Sequence, residues 1–239
     1  MISCNEDKKQ LNAQEIIDKT IEAAGGEIYD HAKIKFSFRK TQYSSQRQNG
    51  KYELIRTFTD SVGEVRDVLT NSGFERILNG KKIALRDSIS NLYANSVNSV
   101  HYFVQLPYGL NDEAVKKELV GESEIEGNKY HEIKVTFNPV GGGVDHGDIY
   151  LYWINKRTFT IDYFTYKFYT GEGGIRFRKA YNPRVIEGLR FVDYKNYKID
   201  PWENIDVENV DDLFVSGKLE LLSEIKTEDI SVEILPSTK

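Results

Sequence analysis

The apolar positions change their period near residue 25. Over residues 12–24, Ile16, Ile17, Thr20, Ile21 and Ala24 recur at helical spacing and share one face. Asn12 is placed to cap this helix, with Glu15 three residues on as a variant of the capping box, and Gly25-Gly26 ends it. Beyond that point the period is two. Ile34, Phe36 and Phe38 alternate with Lys33, Lys35, Ser37 and Arg39, the pattern of a sheet with one wet face. Residues 52–58, 65–70 and 74–78 continue as strands, with Asn79-Gly80 as a turn.

Residues 87–106 interrupt the strands. Leu92, Asn95, Ser96, Ser99, Tyr102 and Phe103 suit a helix packed across a sheet, capped by Asp87 or Ser88 and stopped by Pro107 and Gly109. A short second helix is expected over 111–119. The strand pattern then returns. Hairpins are expected over 117–126 with 129–137, over 148–154 with 158–169, and over 174–181 with 189–199. Residues 225–234 form a last strand, and 211–222 fits neither period cleanly. Ten to twelve strands joined by short turns imply an antiparallel sheet, and one that large curls or closes.

Three local segments carry a family resemblance. Ile149 to Tyr163 (IYLYWINKRTFTIDY) joins two strands through a polar turn. Asn98 to Phe103 with Gln105 to Leu110, and Ala180 to Arg184, carry the rest. Together with the element order, the chain from Asn12 onward resembles the LolA/LolB group of Gram-negative lipoprotein carriers and a family of uncharacterised lipoproteins of that shape. The resemblance implies a mainly β fold: a strongly curved antiparallel half-barrel, with an N-terminal helix and one or two middle helices covering the concave face. It implies an acyl-binding role. Its motifs are structural, and no catalytic residue carries over from it.

The composition is 39% hydrophobic and 29% charged, as expected of a folded chain. A net charge of −5 argues against nucleic acid as a partner. The single cysteine excludes an internal disulfide and a cysteine zinc cluster. Its position adds more. Met1-Ile2-Ser3-Cys4 resembles the end of a bacterial lipobox, with Cys4 as the lipid-attachment residue. Residues 1–11 are then a signal remnant and tether, and 12–239 one half-barrel domain. The expected location is the cell envelope, with attachment to the outer membrane through the lipid anchor alone and a periplasmic or surface-facing domain.

Candidate chemistry is sparse. His31, His101, His131 and His146 show no metal-binding spacing, and no metal or cofactor is expected. His101, beside Tyr102 and Phe103, and His131, in phase with Ile133 and Val135, face either the core or a cavity. The loop at 141–148, with three glycines followed by Asp145, His146 and Asp148, suits either a long hairpin turn or a weak cation site. No nucleophile elbow is present.

The aromatics are more informative. Tyr152, Trp153, Phe164, Tyr166 and Phe168 lie in one hairpin whose two faces are both apolar, so both faces must be covered. The expected cavity is lined by His101, Tyr102, Phe103, His131, Tyr152, Trp153, Phe164, Tyr166 and Phe168. The expected function is non-catalytic binding of a hydrophobic or amphipathic small molecule or lipid. Docking of the apolar hairpin on an envelope protein is the alternative, and a hydrolase is a third.

Overall fold

A computed structural model of the chain describes residues 10–141, 146–169, 171–199 and 205–236. The first helix, α1 (Ala13–Ala23), begins with the capping box as expected. The Glu15 backbone N–H donates to Asn12 Oδ1 at 2.9 Å, and the Asn12 N–H donates back to Glu15 Oε2 at 2.9 Å. These bonds satisfy two donors that a helix start otherwise leaves orphaned. The helix buries Ile16, Ile17 and Thr20.

Six strands follow: β1 (Ala32–Phe38), β2 (Thr41–Gln48), β3 (Lys51–Asp60), β4 (Gly63–Thr70), β5 (Gly73–Leu78) and β6 (Lys81–Ile83). Helix α2 (Asp87–Val104) and a 3-10 turn at Tyr108–Asn111 lead into a second run. That run comprises β7 (Val115–Ile125), β8 (Asn128–Phe137), β9 (Ile149–Asn155), β10 (Ile161–Phe168), β11 (Gly174–Ile186), β12 (Leu189–Lys198) and β13 (Glu220–Ile225). A short helix, α3 (Val210–Val215), sits between β12 and β13, and β14 (Thr227–Ile234) closes the chain.

Hydrogen bonding divides the strands into two seven-stranded antiparallel sheets, β14-β1-β2-β3-β4-β5-β6 and β13-β12-β11-β10-β9-β8-β7. Neither sheet closes on itself. The chain passes between them at Lys226, where Arg184 ties the junction. It ion-pairs with Asp193 at 2.9 Å and donates to the Thr227 carbonyl, while the Thr227 N–H donates to Asp193 Oδ1 at 3.0 Å.

Several expectations needed correction. No helix forms over 111–119. Pro107 and Gly109 end the helical run, the 3-10 turn replaces the second helix, and strand pairing begins at Val115 opposite Phe137. Strands β2 and β6 went unanticipated. Neither Asp87 nor Ser88 caps α2; its N-cap position is Arg86, with no side-chain bond. The buried face of α2 is Val97, His101 and Val104, whereas Leu92 is 60% exposed. β11 runs through Asn182-Pro183 without ending. The register shifts between Tyr181 and Arg184, with Asn182 at φ 50°, so the proline sits in a bulge where no ladder donor is needed.

Candidate functional site

The register of the second sheet decides which side chains meet. Tyr152 lies opposite Phe164, and Phe164 opposite Arg178; one step along, Tyr150 lies opposite Tyr166, and Tyr166 opposite Arg176. Two rows on one face therefore run from aromatic to guanidinium across β9, β10 and β11. Phe137 on β8 meets Tyr150 edge-on at 5.8 Å, Tyr150 stacks on Tyr166 at 5.3 Å, and Tyr166 lies 5.9 Å from Phe168. At one end of these strands the inner face is sealed by α1, with Ile16 and Ile17 packed in one core cluster with Ile133, Ile154 and Ile161. At the other end Phe137, Tyr150, Tyr166 and Phe168 remain half-buried.

Helix α2 lies against this open end and against β3, β4 and β5. Its positions 95, 98 and 102 form a helical stripe that borders two clefts. On one side a cleft of about 380 Å³ is lined by Tyr102, Phe103, Leu106, Phe137, Tyr150, Phe164, Tyr166, Phe168, Asp148, Arg176 and Arg178. On the other a cleft of about 670 Å³ runs past Arg47, Tyr52, Leu54, Leu69, Gln105 and Tyr108. Both volumes fall within the roughly 300–1,000 Å³ of small-molecule sites.

Polar groups fix α2 to the first sheet. His101 Nε2 lies 3.0 Å from the Ile55 carbonyl, and its Nδ1 lies 3.3 Å from Gln105 Nε2. Gln105 also donates to Ser45 Oγ at 3.0 Å and accepts from Arg47. Burial lowers the His101 pKa to about 4, so the ring is neutral near pH 7; Nε2 then donates to Ile55 and Nδ1 accepts from Gln105. Burial also pushes the phenols of Tyr102, Tyr150 and Tyr152 well above their ordinary range, so they too stay neutral. The fixed charge in the smaller cleft is mainly cationic. The Arg178 guanidinium lies 5.1, 5.3 and 5.2 Å from the ring centres of Phe103, Phe164 and Tyr166.

The structure brings together Tyr102, Phe103, Phe164, Tyr166 and Phe168 in the smaller cleft, and places His101 at the wall of the larger one. The other expected residues lie elsewhere. Tyr152 is fully buried in the core that includes Ile16 and Ile17. Trp153, one residue on, points to the opposite face of the sheet and packs with Phe177, Tyr163 and Val210. His131 sits at the far end of β8 from Phe137, stacked near Phe159 and 3.6 Å from Glu122. Cys4 and Asp145 lie outside the described residues. His146 and Asp148 are described; Asp148 accepts from the Tyr169 N–H at 3.4 Å. No cluster able to hold a metal occurs among the described residues.

The sequence reading missed the arginines. Arg176 and Arg178 alternate with Ile175 and Phe177, which resembles a strand with a solvated face. The available signal was that β11 continues the sheet of a hairpin apolar on both faces, so its polar side also faces covered surface.

Two solved structures are similar to the chain to different degrees. A LolA superfamily protein from Nitrosomonas europaea superposes with a TM-score of 0.50 at 14% identity, covering 96% of this chain and 96% of that one. A DUF1329 family protein from Desulfovibrio piger gives a TM-score of 0.40 at 12% identity, covering 78% and 86% of the two chains. The first likeness establishes a LolA-like fold: mainly antiparallel β, open, with few helices. No curated protein matches the chain in sequence. A family model described as a family of unknown function, DUF6503, matches residues 1–227, and the chain belongs to that family.

Proposed function

We propose that this protein holds an apolar or amphipathic ligand of the acyl-chain kind in the clefts beside α2, and that it does so without catalysing a reaction. One observation carries this reading. The aromatic face of the second sheet is not filled by side chains at its open end, but borders a cleft of about 380 Å³ that meets a larger one at Asn95, Asn98 and Tyr102. Half-buried rings along the wall of a cleft this size offer a hydrocarbon chain the apolar surface it needs from its host. The opposite face of the β9–β10 hairpin is taken by α3 of the same chain, with Trp153 and Tyr163 no more than 3% exposed. The hairpin therefore offers a ligand its cleft face, and little apolar surface to a partner protein.

The proposed setting is the cell envelope, with Cys4 carrying the lipid. The support is the lipobox-like Met1-Ile2-Ser3-Cys4. Labelled palmitate fed to expressing cells should enter the wild type and not Cys4→Ser; equal labelling of both removes the anchor. For the ligand, native mass spectrometry of protein purified from membranes should show lipid-sized adducts on the folded chain. A bare chain throughout counts against the cleft as a binding site.

A further inference from the structure

The smaller cleft is apolar in shape but not in charge. Arg178 projects into it from β11, ringed by Phe103, Phe164 and Tyr166. Its Nη2 donates to Tyr166 Oη at 3.1 Å. Its Nε is buried and donates to nothing among the described residues. No ion pair joins Arg178, or its neighbour Arg176, to a carboxylate among those residues. Arg176 donates to the Ile175 carbonyl at 2.9 Å and lies over the Phe168 ring at 5.2 Å. Asp148, a carboxylate at this cleft, is 6% exposed and accepts from the Tyr169 backbone.

A partly buried arginine ringed by aromatic side chains, with its Nε donor buried and unmet, is a costly arrangement for packing alone. It is the arrangement that receives a planar or tetrahedral anion through two parallel hydrogen bonds. The rings beside it supply the surface for a hydrocarbon tail. We infer that the ligand is an anionic single-chain amphiphile, whose carboxylate or phosphate head is held by Arg178 with Arg176 beside it, and whose tail lies along Tyr150, Tyr166, Phe103 and Phe137. This inference rests on the cleft reading above and narrows it from any apolar ligand to one with an acidic head.

Titration calorimetry with dodecanoate, dodecyl phosphate, dodecan-1-ol and inorganic phosphate tests it. The chain length is constant, so the difference reports the head. The wild type should prefer the two anionic amphiphiles over the alcohol by about tenfold or more. Arg178→Gln should erase most of that preference while keeping the wild-type thermal midpoint. Arg178→Lys, which keeps the charge and loses the fork, should fall between. Equal affinity for acid and alcohol, or a folded Arg178→Gln that keeps the preference, overturns the inference and leaves the cleft reading standing. If no amphiphile binds at all, both fall. If inorganic phosphate displaces dodecanoate at comparable concentration, the site is a plain anion site and the amphiphile is wrong.

Discussion

His101 is neutral because burial penalises its charged form, and that has a consequence for stability. Its folded pKa is about 4 against an ordinary 6.5, so between these values the unfolded chain binds the proton more readily. The stability its neutral ring supports is present above about pH 6.5 and is lost as the pH falls toward 4, on the order of 3 kcal/mol in all. Glu132 and Asp211 oppose this trend, since burial raises both carboxyls and protonation favours their folded state. The comparison that isolates His101 is therefore wild type against His101→Gln. Urea midpoints from pH 7 to pH 4 should fall less steeply in the variant, and parallel curves would show that the ring does not set this dependence. The presence of a histidine next to Tyr102 and Phe103 was readable from the sequence. Its state was not, because that depends on Phe36 and Tyr43, each 5.5 Å from the ring and each on a distant strand.

At the level of elements, the short helix α3 does more than its length suggests. Phe214 stacks on Phe177 at 4.9 Å and meets Tyr163 and Tyr197 at 5.6 and 5.5 Å. It closes the face that carries Trp153. A helix of this length does not hold itself together, so it exists by packing. Phe214→Ala should cost about 2 kcal/mol, since the ring is half-buried and its aromatic contacts are lost. Chemical denaturation reads this directly, and an unchanged midpoint would mean α3 is not a structural cover. The sequence revealed α1 with its capping box, and the doubly apolar β9–β10 hairpin that requires a cover on each side. It concealed α3, whose residues fit neither period, and β2, where TQYSSQRQ offers one apolar ring. β2 forms because Tyr43 and Ser45 face inward, the second held by Gln105, the residue just past the end of α2. That contact joins residues 60 positions apart, which no local pattern can announce.

For the whole molecule, two open sheets and one long helix leave open clefts on both sides of α2. α1 seals one end of the second sheet. α2 cannot seal the other, because its apolar face of Val97, His101 and Val104 is spent on the first sheet and its remaining stripe is Asn95, Asn98 and Tyr102. The half-barrel was what the LolA/LolB resemblance implied, and a large antiparallel sheet that curls or closes was legible from the strand count and turn spacing. The location of the opening was not, because it depends on how α2 is rotated, and Leu92 suggested a different rotation from the one observed. Ser99 borders the smaller cleft and is exposed, so Ser99→Trp should fill the opening with little effect on folding. The most direct test is native mass spectrometry of wild type and Ser99→Trp, each incubated with the same membrane lipid extract. Lipid-sized adducts on the wild type that are lost from the folded variant are the predicted result; a bare wild type, or adducts that persist on Ser99→Trp, would contradict a ligand site beside α2.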